Sequence, residues 1–161
     1  MSAPIVLLLS GPNLQLLGER QPEIYGKATL ADHVATARSA ADDLGLALEH
    51  VQSDAEAELV AEVHRSRGRV AAIVVNAAAL THYGWSLADA LSTFEGPVVE
   101  LHLSNPDARE PWRHTSVLSG VVDGSIAGFG GAGYDLAIRA AAALGTSQGS
   151  PRERGGGGVA S

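Results

Sequence analysis

Few residue types can move a proton or hold an anion near neutral pH, and this chain of 161 residues gathers many of its own into three stretches. The first carries Ser10-Gly11-Pro12-Asn13, then Arg20-Gln21-Pro22-Glu23, then Tyr25-Gly26. The second opens on Asn76 and closes on Thr81-His82. The third holds Glu100, His102, Ser104, Asn105, Arg109 and Arg113. Imidazole titrates near neutrality and suits acid–base work. A guanidinium grips a carboxylate in a planar fork, even inside an acidic protein. The phenol is the unusual member. Its ordinary pKa is about 10, so service as a base near pH 7 requires stabilising the phenolate by about 4 kcal/mol. One guanidinium about 4 Å away supplies roughly that much at an effective dielectric of about 20. Two, such as Arg20 and Arg109, leave a margin against desolvation.

Whether these stretches meet depends on the elements between them. Residues 5–10 are almost purely apolar, which predicts a strand buried on both faces, as in a parallel sheet. Residues 11–27 are rich in Gly, Pro, Asn and Gln and read as a long loop, a length usually tied to function or mobility. Thr29 with Asp32 three residues on predicts a capped helix. Leu30, Val34, Ala37, Ala41 and Leu44 continue it at helical spacing, and Gly45 stops it. A second strand over 46–52 and a helix over 54–67 follow, the latter striped by Leu59, Val60 and Val63 and ended by Gly68. Then come a strand over 70–75, a loop over 76–83, a helix over 85–94 and a strand over 98–103. A polar loop over 104–113, a weaker strand over 124–129 and an Ala-rich helix over 134–144 complete the pattern. Residues 145–161 are dominated by Gly, Ser, Pro and Arg and read as a disordered tail after one catalytic domain over 1–144.

Apolar strands alternating with helices imply an α/β fold: a flavodoxin-like, doubly wound, five-stranded parallel sheet with helices on both faces. Ligands of such sheets sit beyond the carboxyl ends of the strands. Two Asn, two His and two Arg then converge on one edge. On residue type alone, Tyr25 also fits a loop aromatic, Asn13 and Asn76 fit turn residues, and His102 fits a hydrogen-bonded strand end.

Composition narrows the chemistry. The net charge of −7 argues against nucleic acid, which demands clustered Lys and Arg. There is no cysteine, which removes disulfides, thiolate nucleophiles and Cys-ligated metal. No apolar run approaches the roughly 20 residues of a membrane span, and Met-Ser-Ala-Pro lacks the charged start of a signal peptide. A cytoplasmic protein without membrane contact is the expectation. His33, His50, His64 and His114 show no metal-ligand spacing and read as packing or solvent residues. The run Gly128-Phe129-Gly130-Gly131-Ala132-Gly133 follows the last strand rather than the first and reads as turn glycines, not a phosphate cradle.

The segment from Leu8 to Gly26, through Ser10-Gly11-Pro12-Asn13-Leu14 and Gly18-Glu19-Arg20-Gln21-Pro22-Glu23-Ile24-Tyr25, closely resembles the opening signature of type II 3-dehydroquinate dehydratases. Asn76-Ala77-Ala78-Ala79-Leu80-Thr81-His82 resembles that family's strand-three loop. Glu100-Leu101-His102-Leu103-Ser104-Asn105 with Ala108-Arg109-Glu110-Pro111-Trp112-Arg113-His114 is similar to its strand-four loop. Three ordered motifs in register are far more specific than one.

The resemblance implies a flavodoxin-like enzyme that needs neither metal nor other cofactor and dehydrates 3-dehydroquinate to 3-dehydroshikimate. It implies Tyr25 as the base on the C2 proton, Arg20 as a lid residue that with Arg109 keeps Tyr25 ionised, and Asn13 as the holder of a water that stabilises the enolate. It implies His102 as the acid for the C1 hydroxyl, oriented by Glu100. The backbone of Leu103 and Ser104 would take the substrate carboxylate, and Asn76, His82 and Arg113 its hydroxyls. Asp89 would approach the site of a neighbouring subunit in a homo-oligomer, a dodecamer built from trimers. Three positions depart from the family pattern. Ala77-Ala78 stands where Pro-Gly is common, and Ala88 stands where an Arg usually precedes Asp89. A non-catalytic phosphate-binding module would want a glycine-rich first turn, and a dead relative would have lost Tyr25, Arg20 or His102. Neither feature is present.

Overall fold

The computed structural model describes residues 2–147. Strands β1 (Ile5–Ser10), β2 (Ala47–Gln52), β3 (Ala72–Asn76), β4 (Val98–His102) and β5 (Gly124–Ala127) form one sheet. Its order is β2-β1-β3-β4-β5 and every neighbouring pair is parallel. Between and after the strands come helices α1 (Pro22–Tyr25), α2 (Leu30–Asp43), α3 (Glu56–Ser66), α4 (Trp85–Ser92) and α5 (Ala132–Thr146). The flavodoxin-like doubly wound sheet expected from the sequence is the architecture observed.

The apolar runs explain the layering. Side chains of a strand alternate between faces. Val6 and Leu8 of β1 join α2 and α5 through Ala37, Ala41, Ala137 and Ile138. Leu7 and Leu9 join α3 and α4 through Leu59, Val63, Leu87 and Leu91. With helices on both sides every position of β1 after Ile5 is buried, so it has no polar alternation to show. Burying each such side chain contributes about 1.5–3 kcal/mol. The start of α2 is the expected capping box. Thr29 Oγ1 accepts from the Asp32 N–H at 3.2 Å, and Asp32 Oδ2 accepts from the Thr29 N–H at 2.9 Å.

The loops hold more structure than their composition suggested. Residues 11–27 contain a 3-10 turn at Leu14–Leu16 and the short α1, opened by Pro22 at its first position. A 3-10 turn at Ala78–His82 follows β3, and two more, Pro106–Ala108 and Pro111–Arg113, follow β4. In each of the latter a proline sets the first turn's φ. At the other end, α5 starts at Ala132 and continues through Thr146, so Gly145 and Thr146, expected in the tail, are helical. Residues 148–161 of that expected tail lie outside the described residues.

The sheet order places β1 beside β3, with the chain leaving toward β2 on one side and β4 on the other. At this switch the two carboxyl ends draw close. The Gly11 N–H donates to the Asn76 carbonyl at 2.8 Å. A Cβ on Gly11 would lie 2.3 Å from the Ala77 carbonyl oxygen, so only glycine permits the approach. Among the described residues no helix is long and apolar enough to cross a membrane.

Candidate active site

A cavity of about 290 Å³ opens beyond the carboxyl ends of β1, β3 and β4. Asn13, Arg20 and Tyr25 line it from the first loop, and Asn76 and His82 from the end of β3. His102, Leu103, Ser104, Arg109 and Arg113 line it from the end of β4 and its loop. Three stretches far apart in sequence thus meet because three parallel strands end together.

Tyr25 ends α1, and Arg109 reaches it from the β4 loop. Arg109 Nη1 donates to Tyr25 Oη at 2.6 Å, and the guanidinium carbon stands 5.2 Å from the centre of the phenol ring. The same Nη1 lies 3.4 Å from Ser104 Oγ. The Arg109 side chain is 12% exposed, so this positive charge acts through a partly desolvated path, where it is worth more than at the surface. His114, exposed as a solvent residue should be, nevertheless places Nε2 3.0 Å from the Arg109 carbonyl.

A second pair stands on β4. Glu100 is buried, and its Oε2 lies 2.8 Å from His102 Nε2. Its other oxygen accepts from Ser116 Oγ at 2.7 Å. Both carboxylate oxygens are therefore engaged, which offsets the desolvation an unpaired buried acid would suffer. Glu100 does not line the main cavity. It supports His102 from behind, beside a smaller cavity of about 230 Å³ shared with Ser116 and Ser125.

The amide-bearing residues are fixed by their backbones. Asn13 occupies the left-handed region at φ 66°, a conformation Asn tolerates. Its N–H donates to Asp54 Oδ1 at 2.9 Å, and Gln15 Nε2 also donates to that carboxylate. These bonds, the Asn13 backbone first, hold the Asp54 carboxyl below the usual range. Asn76 Oδ1 accepts from the Ala78 N–H at 3.2 Å. His82 Nδ1 donates to the Thr115 carbonyl at 2.7 Å, which fixes the proton on that nitrogen. Arg113 Nε donates to Glu110 Oε2 at 2.8 Å and its guanidinium lies 4.0 Å from the Trp112 ring centre. Arg113 and Arg109 contribute to holding the Glu110 carboxyl low, after the first cause, its own backbone N–H.

Asp89 lies elsewhere, exposed on α4 and not on the cavity wall. Three contributors escaped the sequence reading. Trp112 lines the cavity and meets His82 edge-on at 5.2 Å. In a chain with two tryptophans, its place inside the third motif was a usable signal. Asp54 and Ser116 gave none, being common polar residues whose partners lie 41 and 16 positions away.

A doubly wound sheet whose switch-point cavity sets a phenol–guanidinium pair beside an imidazole–carboxylate pair defines an α/β protein equipped to bind a small polar anion and move protons on it. The family model described as dehydroquinase class II matches residues 4–142. A 3-dehydroquinate dehydratase of Aeromonas hydrophila is 52% identical over 136 residues, 84% of this chain and 91% of that protein. The crystal structure of type II dehydroquinase from Propionibacterium acnes superposes with a TM-score of 0.83 at 41% identity, covering 91% of this chain and 99% of the other. That of Butyrivibrio crossotus gives 0.84 at 32% identity, covering 87% and 98%. The chain belongs to the class II dehydroquinase family.

Proposed function

We propose that this chain is a hydro-lyase that converts 3-dehydroquinate to 3-dehydroshikimate. The observation that carries the reading is the 2.6 Å contact of Arg109 with Tyr25 in the cavity that also holds His102 on Glu100. Tyr25, as phenolate, takes the proton from C2 beside the ketone. The electron pair moves into the carbonyl and gives an enolate. Arg109, joined by Arg20 when the first loop closes, keeps the phenolate stable. Asn13 holds a water against the enolate oxygen, a donor prearranged where charge develops. The enolate then collapses, the C1–oxygen bond breaks, and His102 gives its proton to the leaving hydroxyl, which departs as water. Because Nε2 faces Glu100, the proton is delivered from Nδ1. The backbone N–H groups of Leu103 and Ser104 take the substrate carboxylate, and Asn76, His82 and Arg113 take its hydroxyls. No step calls on a metal or another cofactor. The reaction serves either the shikimate route to aromatic compounds or quinate breakdown, in the cytoplasm.

Asp89 acts in this reading from a neighbouring subunit, in a dodecamer of trimers. Light scattering is expected to give a mass of several chains, and a pure monomer would contradict the shared site. The deciding assay follows ultraviolet absorbance of the conjugated enone-carboxylate after adding 3-dehydroquinate, with a chelator present. Product formation supports the reaction and shows that no removable metal is needed. A folded, oligomeric sample that forms none overturns the reading.

A further inference from the structure

Tyr134 is fully buried, the largest side chain in the interior to be so, yet it carries a hydroxyl. Its position is the first turn of α5, against the sheet face that holds Val74 and Leu101. Burial pushes its pKa up to about 12, so it stays a neutral phenol, unlike the base assigned to Tyr25. Its ring is clamped. His33 of α2 stacks on it with centroids 4.9 Å apart and planes 3° from parallel. His33 is itself buried, and a Cβ on Gly131 would come within 3.0 Å of its ring, so the stack has little room to move. The hydroxyl meets Asn76: Asn76 Nδ2 donates to Tyr134 Oη at 3.3 Å.

We propose that Tyr134 is a positioning residue for substrate binding, acting through Asn76. The proposal rests on the assignment of Asn76 to the substrate hydroxyls. A carboxamide offers two N–H donors and an oxygen with two lone pairs. In Asn76 the oxygen is spent once on the Ala78 N–H and the nitrogen once on Tyr134. The Ala78 N–H excludes the flipped amide, which would set donor against donor there, and the Tyr134 oxygen holds the amide plane from its other end. What remains free on the cavity side is one N–H and one lone pair in fixed places, a donor–acceptor pair matched to a secondary hydroxyl. Without the phenol oxygen, only the 3.2 Å bond to Ala78 would orient the amide, and one buried N–H would lack a partner.

Tyr134→Phe keeps the stacked ring and removes only the oxygen. We expect its KM for 3-dehydroquinate to rise about fivefold, the worth of one ordinary hydrogen bond, with kcat changed less. In an Asn76→Ala background the same substitution is expected to change KM no further, because the path runs through Asn76. Equal effects in both backgrounds would overturn the proposal, as would a Tyr134→Phe KM at the wild-type value. A crystal structure of Tyr134→Phe separates this inference from the reaction itself. The Asn76 side chain is expected to be rotated out of its wild-type plane or split between two rotamers. An unmoved, single orientation defeats the positioning role whatever the enzyme's substrate, whereas a wild-type protein inert toward 3-dehydroquinate, with Asn76 disturbed in the variant, defeats only the substrate assignment.

Discussion

At the scale of single residues, the proposed reaction divides its labour between groups that touch the reacting atoms and groups that hold them. Tyr25→Phe retains the ring that packs beneath Arg109 and deletes the oxygen 2.6 Å from it. Turnover is expected to fall by about 10²–10⁴-fold, the usual reach of general acid–base catalysis, while the melting temperature stays near wild type. Activity within a few-fold of wild type would rule out Tyr25 as the base. His102→Ala is expected to lower kcat more than it raises KM if, as proposed, its proton goes to the hydroxyl as the C1–oxygen bond breaks. A rise in KM alone would assign it to binding instead. Asp54 makes the opposite kind of contribution. Its carboxylate is exposed and never meets the cavity, but it accepts the N–H of left-handed Asn13. Asp54→Ala is expected to lower kcat about tenfold, since hydrogen bonds to charged groups are the stronger kind. Asp54→Asn, whose carbonyl still accepts that N–H, should recover most of the loss. If Asn and Ala behave alike in steady-state kinetics, the bond to Asn13 is not what Asp54 supplies.

Among the elements, those with a strong period or a continuous apolar run were legible, and those made of backbone turns were not. Residues 5–10 predicted β1 to the residue, because a strand packed on both faces leaves a run that no loop would carry. Thr29 and Asp32 announced the start of α2, because a capping box needs those types at that spacing. The turns after β3 and β4 show in the sequence only as loops, since 3-10 turns are set by contacts outside the segment and, after β4, by prolines. The site was legible as a convergence, because its residues sit at strand ends. The bond from Asn76 to Tyr134 was not, for it spans 58 positions and joins two elements on one face of the sheet. The turn after β3 also shows a departure from the family pattern at work. Ala78 adopts φ 52°, in the left-handed region, where the family commonly has glycine. That conformation costs an L-residue about 1–2 kcal/mol, partly offset by the roughly 0.4–1 kcal/mol that alanine saves by restricting the unfolded chain. Ala78→Gly is therefore expected to raise the melting temperature slightly, by about 1–2 °C in calorimetry. A lower melting temperature would show that the Ala78 methyl packs better than its backbone is strained.

For the molecule as a whole, sensitivity to acid gathers on the face of the sheet that α2 covers, where His33 and His50 both lie. His33 lies buried in the face covered by α2 and α5, and burial lowers its pKa from the ordinary 6.5, with Asp32 opposing that shift only in part. His50 of β2, beside Ser10, is lowered for the same reason, with Arg38 adding to it. The unfolded chain therefore takes up these protons at a higher pH than the folded one. Wherever the unfolded state binds more protons, stability rises with pH. The contribution is complete above about pH 7 and is lost as pH falls below 6.5 toward the lower folded values. The depressed carboxyls of Asp32, Asp54 and Glu110 act in the same direction but only below their ordinary values near 4, so the two windows separate. Urea unfolding at pH 7.5 and pH 5.5 isolates the histidine window. The wild-type midpoint is expected to drop across it, and His33→Leu, which leaves an apolar side chain against Tyr134, is expected to drop less, with the remainder belonging to His50. An equal drop in both proteins would mean that protons enter the fold without opening the stack on Tyr134, and that the acid sensitivity of this face lies with His50 on β2 rather than with His33 on α2.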